Sequence, residues 1–167
     1  MSDVAPNSQV QVRRAFLAIA VGGLSAGILD LGQAVILFRS NIPLAIAAGL
    51  IGPQNAFRGG AATYTMGVAL HFFIALSAAA IYFAASRKLN FLAYYPLVCG
   101  VFFGVAVHLV MSLVVLPLSA LHAKGPYQYN DLVSGLLVHM VLVGLPISFS
   151  VRLFAKQTAP ESHIRRA

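Results

Sequence analysis

Four ionisable side chains stand inside stretches that are otherwise apolar: Asp30, His71, His108 and His139. Such a group is costly in a membrane helix, turns toward the bundle interior and marks a functional hypothesis by default. Two chemistries fit the set. In the first, Asp30 and the histidines form a proton or ion relay, because imidazole titrates near neutrality and a carboxyl group out of water can hold a proton. In the second, His71, His108 and His139, with Asp30, bind a transition metal, or two of the histidines ligate a haem axially. The HxxxH and ExxH pairs that make metal motifs specific are absent. A structural role competes with both, each histidine donating one hydrogen bond across a helix contact. Asp30 needs a compensating partner under any of these readings. Arg39 lies about two and a half helical turns further along, too far to meet it directly. Arg58, arriving from the segment outside the bundle, is better placed, and a protonated Asp30 is the remaining option. Gln33, one turn away, would complete a hydrogen-bonded cluster, whereas Ser25 faces the other way.

The spacing around the histidines repeats. Gly67-Val-Ala-Leu-His71, Gly104-Val-Ala-Val-His108 and Gly135-Leu-Leu-Val-His139 each place a glycine four residues before the imidazole. A helical side chain leans back over the preceding turn, so glycine there leaves room for the ring or lets a neighbouring helix come close. Gly100, Gly104, His108 and Ser112 extend one such face, and Gly23, Ala26, Gly27, Asp30 and Ala34 form another. In lipid, stripes of small residues bring helix backbones together, within one chain or between copies in a homo-oligomer.

The elements that must position these residues follow from composition. Of 167 residues, 59% are hydrophobic and 9% charged, against about half and about a quarter in an ordinary soluble domain. A disordered tail, a disulfide scaffold and a nucleic-acid-binding domain are all disfavoured by so much apolar surface with so little charge. The lone Cys99 has no disulfide partner. Apolar runs over 15–38, 62–85, 94–118 and 132–154 each exceed the roughly 20 residues that cross the hydrocarbon core. They are continuous rather than alternating, which predicts four transmembrane helices, called spans 1 to 4 here, and excludes a barrel. Counted inward from the outer ends, Asp30 and the three histidines each lie about 10 to 14 Å deep, so all four can share one layer.

The net charge of +7 follows from 11 Lys+Arg against 4 Asp+Glu. With the N-terminus cytoplasmic, that side carries Arg13, Arg14, Arg87, Lys88, Arg152, Lys156, Arg165 and Arg166, and the other only Arg39, Arg58 and Lys124. The positive-inside rule then predicts both termini inside. The basic excess is read as topology and contact with anionic lipid headgroups, not as nucleic-acid binding. Tyr64, Tyr82, Tyr94 and Tyr95 near span ends are expected at the lipid–water interface. Arg13-Arg14-Ala15-Phe16-Leu17 resembles a twin-arginine export signal, but the following run is longer than a signal core and contains Asp30, so an uncleaved first helix is expected. The organisation is a cytoplasmic tail over 1–14, a membrane domain over 15–154 and a basic cytoplasmic tail over 155–167.

Between spans, Ser86 to Asn90 is short and polar, and Ser119 to Asp131 carries the turn formers Gly125, Pro126 and Asn130. The segment Asn41 to Phe57 is too short to span and too apolar to float free. It is expected as a short outer-side helix, interfacial and amphipathic or re-entrant, capped by Asn41, with Pro43 near its start and a break at Gly52-Pro53. That leaves Gln54, Asn55 and Arg58 near the bundle mouth. Pro117 ends span 3, and Pro146 frees the carbonyl of Leu142 within span 4, to be met by Ser148 or a neighbouring helix.

No Walker loop, Rossmann fingerprint, serine-hydrolase elbow or zincin motif is present, so no enzyme class has positive support. Gly52-Pro-Gln-Asn-Ala-Phe57, Gly59-Gly60, Gly67 to Ala75, Val114 to Ser119 and Gly135 to Met140 with Gly144-Leu-Pro146 together resemble a family of small four-helix bacterial inner-membrane proteins, distantly similar to YagU-type proteins. The resemblance implies the topology and a bacterial inner membrane, and it transfers no activity or catalytic residue. It is looser at His108 than at His71 and His139. The expectation is an all-α polytopic inner-membrane protein with a polar layer at Asp30, His71 and His139, acting as a proton- or ion-linked transporter or channel component. A haem- or metal-binding membrane protein and a structural or stress-related component are the alternatives.

Overall fold

Continuous runs of Ala, Val, Leu, Ile and Phe leave the backbone no polar solvent, and the helix satisfies its amides and carbonyls internally. The computed structural model, which describes residues 8–38, 40–123 and 128–155, accordingly holds four helices long and apolar enough to cross a membrane, and no strand among the described residues. Span 1 is Ser8–Phe38, span 2 Gly60–Lys88, span 3 Pro96–Leu118 and span 4 Tyr129–Phe154. The chain is an all-α, multi-pass integral membrane protein. Arg39, Lys124, Gly125, Pro126, Lys156, Arg165 and Arg166 lie outside the described residues, as do the tails over 1–7 and 156–167.

Several boundaries differ from the sequence reading: span 1 is already helical from Ser8, inside the segment expected as a tail, and spans 2 and 4 begin earlier, at Gly60 and Tyr129. Span 2 stays helical through Lys88, and span 3 starts at Pro96, not at Tyr94. A residue before proline is pushed out of the α region, and Tyr95 sits at φ −117° and ψ 61°. Proline fits the first helical turn because no partner awaits its missing N–H. The residues in between form a one-turn helix, Phe91–Tyr94.

The outer segment forms two helices, Ile42–Ile51 and Pro53–Arg58, meeting at Gly52 with φ +80°, a conformation that suits glycine. Asn41 occupies the N-cap position but makes no side-chain capping bond, because its backbone is itself helical. Ile42–Ile51 contains no polar side chain and is therefore not amphipathic. It packs on span 2 with Pro43, Ala47 and Ala48 buried, and Gly49 O accepts a 2.8 Å bond from Ala120 N beyond span 3. The helix thus bridges span 2 and the end of span 3.

Glycines set the closest helix approaches. Gly100 and Gly104 on span 3 meet Gly144 and the His139–Met140 backbone on span 4. On span 1, Gly22 faces Ile147 and Ser150 of span 4, while Gly23 and Gly27 face Leu76 and Phe72 of span 2. Both small-residue stripes are thereby occupied within one chain. The tightest core gathers Ala18, Ala79, Tyr82, Ile147 and Val151 at the end where span 1 begins and spans 2 and 4 finish. Tyr82 is not an interfacial anchor: it is 2% exposed, stacks edge-on against Phe103, and donates from its hydroxyl to Leu92 O at 3.0 Å. Tyr64, Tyr94 and Tyr95 are exposed. Among the described residues this same end carries Arg13, Arg14, Arg87, Lys88 and Arg152, and the opposite end only Arg58.

Spans 3 and 4 each contain one π-helical stretch, Met111–Val115 and His139–Gly144, closed by i→i+5 bonds from Leu116 N to Met111 O and from Leu145 N to Met140 O. Each stands just before a proline, Pro117 and Pro146. Proline removes an α-helical donor, and a wider turn is one way to accommodate the loss. Ser148 does not meet the carbonyl of Leu142; its hydroxyl donates to Leu145 O at 3.0 Å, three residues back.

Candidate functional site

Span 1 turns Asp30 toward span 2 because Gly23, Ala26 and Gly27 on the same face leave no bulk between the helices. Across that contact His71 Nε2 lies 3.9 Å from Asp30 Oδ2, with the imidazole 14% and the carboxylate 20% exposed. The same nitrogen bonds Gly27 O at 3.0 Å. A carbonyl only accepts, so Nε2 carries the proton and donates, which leaves Nδ1 of the neutral ring as the bare nitrogen. Phe72 stacks edge-on against His71 at 5.7 Å between centroids and fills the space that a side chain at position 27 would take.

The pair opens onto a cavity of about 90 Å³ that His139 also lines, with Ile46 from the outer helix, Val107 and Met111 closing other sides. His139 is the first residue of the π stretch in span 4. Its Nδ1 donates to Gly135 O at 2.7 Å, so the neutral ring keeps Nε2 bare. His108 does not line the cavity. It is buried behind His139, ring centroids 5.1 Å apart at 60°, and its Nε2 has no hydrogen-bond partner among the described residues.

The glycine-to-histidine spacing makes room for neighbours in all three cases, and at Gly135 the histidine's own ring also bonds the glycine carbonyl. Gly135 receives the imidazole of His108, whose Cε1 would lie 2.8 Å from an added Cβ. Gly104 receives the backbone of span 4, and Gly67 receives the carbonyl of Pro43.

The structure thus brings Asp30, His71 and His139 around one cavity, with His108 behind. Arg58 is not the partner of Asp30; it is exposed at the end of Pro53–Arg58, and the outer segment reaches the cavity through Ile46 instead. Gln33 is half-buried and makes no hydrogen bond to Asp30. Gln54 and Asn55 are exposed, and Asn55 Nδ2 donates back to Ile51 O at 2.9 Å; neither lines the cavity. The three-histidine metal set is not assembled: among the described residues no three His, Cys, Asp or Glu side chains come together as ligands. His108 and His139 do not flank a haem-sized gap, since their ring centroids stand 5.1 Å apart. Sequence reasoning missed the two π stretches, and the only trace of them was the prolines that follow.

Chemically, the arrangement offers a carboxyl group beside a ring N–H, then a bare ring nitrogen across a small, mostly apolar space. These are groups able to take up and release a proton. No family model, no curated protein and no solved structure matches this chain.

Proposed function

We propose that this protein is a proton-linked component of a bacterial inner-membrane transporter or channel, with both termini cytoplasmic. The observation that carries the reading is the Asp30–His71 pair, 3.9 Å apart across spans 1 and 2, opening on the same cavity as His139. The cavity volume of about 90 Å³ exceeds the roughly 10–15 Å³ that one water needs, and Asp30, His71 and His139 give water partners in an otherwise apolar lining. A proton held between Asp30 and His71 reaches His139 through such water, with His108 next in line. Toward the basic end the packed layer of Tyr82, Ile147 and Val151 closes the route, so transfer is coupled to a rearrangement or to a second subunit. The four apolar spans support the membrane, and the charge asymmetry supports the orientation.

The test is proton flux into liposomes loaded with a pH-sensitive dye. Asp30→Asn and His71→Gln should each lower flux by about tenfold or more, the scale of a lost acid–base group. Unchanged flux from folded variants would overturn the relay and leave a structural membrane component.

A further inference from the structure

A large unassigned space lies at the basic end, far from Asp30. A cavity of about 660 Å³ opens between the last turns of span 2, the one-turn helix Phe91–Tyr94 and the start of span 3. Ile81 and Ala85 form one wall, and Leu92, Val98, Cys99 and Phe102 form the rest. The lining is aliphatic and aromatic, and the volume falls in the range of small-molecule sites. One wall is fixed in place, because Tyr82 donates to Leu92 O at 3.0 Å and Cys99 Sγ lies 3.8 Å from Phe91 O.

The charge at its rim is one-sided. Ile81, Ala85 and Lys88 follow at helical spacing, so Lys88 stands one turn beyond the wall on the same face. Arg87 is its neighbour, and both are exposed. The carboxylates among the described residues are Asp30, paired with His71, and Asp131, which stands in the first turn of span 4 at the opposite end. No described acid is therefore available to these two cations. Tyr94 and Tyr95, 54% and 66% exposed, stand at the same level as amphipathic rings suited to headgroups.

We propose that this cavity holds one acyl chain of an anionic phospholipid whose phosphate is met by Arg87 and Lys88. From Tyr95 to Phe103 the wall is about 12 Å deep at 1.5 Å per residue, enough to take up the upper part of an acyl chain. An apolar slot specifies the chain, and the cations specify the headgroup. The site stands independently of the proton relay.

Native mass spectrometry of the delipidated full chain, given phosphatidylglycerol or phosphatidylcholine with identical acyl chains, tests this. The expected result is a single retained lipid, phosphatidylglycerol favoured by roughly tenfold or more, the scale of two cations at a lipid surface. Glycerol phosphate without chains should not displace it. Arg87→Gln with Lys88→Gln should erase the headgroup preference, and Ala85→Phe, which fills the slot, should remove the adduct. Equal retention of the two lipids, a broad ladder of adducts, or a folded Ala85→Phe variant that keeps the adduct would each overturn the proposal. Should Ala85→Phe fail to fold, the unaltered protein is photolabelled with a phosphatidylglycerol bearing a diazirine in its acyl chain. Labels concentrated over 81–103 support the site, and labels spread evenly over all four spans refute it.

Discussion

Gly135 and Tyr82 show how single atoms hold this bundle. At Gly135 an added methyl would lie 2.8 Å from His108 Cε1, and the ring is hemmed in by His139. Gly135→Ala is expected to cost about 1–3 kcal/mol, the range for overpacking, measurable by unfolding in mixed detergent micelles. Tyr82→Phe keeps the packing against Phe103 and loses only the bond to Leu92 O. It should cost about 1 kcal/mol and expose 89–95 to limited proteolysis. The residues themselves were legible in the sequence: Asp30, His71 and His139 stood out because charge and imidazole are rare in apolar runs. Their partners were not. Periodicity assigns a side chain to a face, but which neighbour fills that face depends on how the helices pack, and so His71 took the place expected for Arg58.

Among the four spans, spans 3 and 4 make the closest glycine-mediated approach. An added Cβ at Gly104 would collide with the backbone of His139 and Met140, which cannot swing aside as a side chain can. Gly104→Ala should therefore separate the two helices and cost about 3 kcal/mol or more. Gly32 meets nothing within 4 Å, and Gly32→Ala should be neutral or stabilise by up to about 1 kcal/mol through helix propensity. Thermal unfolding of the two variants side by side separates packing from propensity. Four helices and the break at Gly52-Pro53 could be read in advance because length, apolarity and proline act locally. The docking of Ile42–Ile51 could not, because a helix with no polar face carries no sign of which side is buried. The π stretches escaped for a similar reason: a proline states that a donor is missing, not how the backbone accommodates it.

For the whole molecule, charge asymmetry makes the orientation testable. With Cys99→Ala as background, a cysteine placed at Ser8 or Asn90 should react with an impermeant thiol reagent only from the cytoplasmic side, and one at Asn55 only from the outside. The reverse pattern would invert the topology. The two ends of the bundle are also built unlike each other. At the basic end spans 1, 2 and 4 pack directly on Tyr82, Ile147 and Val151, 2%, 0% and 0% exposed, and the apolar cavity there lies to the side of that contact, between spans 2 and 3. The other end holds the Asp30–His71 cavity, both π stretches and the bridging helix Ile42–Ile51. The consequence is a gradient of stiffness along the membrane normal. The chain is clamped where spans 1, 2 and 4 converge and compliant where Asp30 and His71 meet, so amide exchange should run faster in 108–118 and 135–144 than in 75–86 and 145–152. Thickening or compressing the bilayer would then be felt first as a change in the width of the outer half, with the basic end acting as the fixed point.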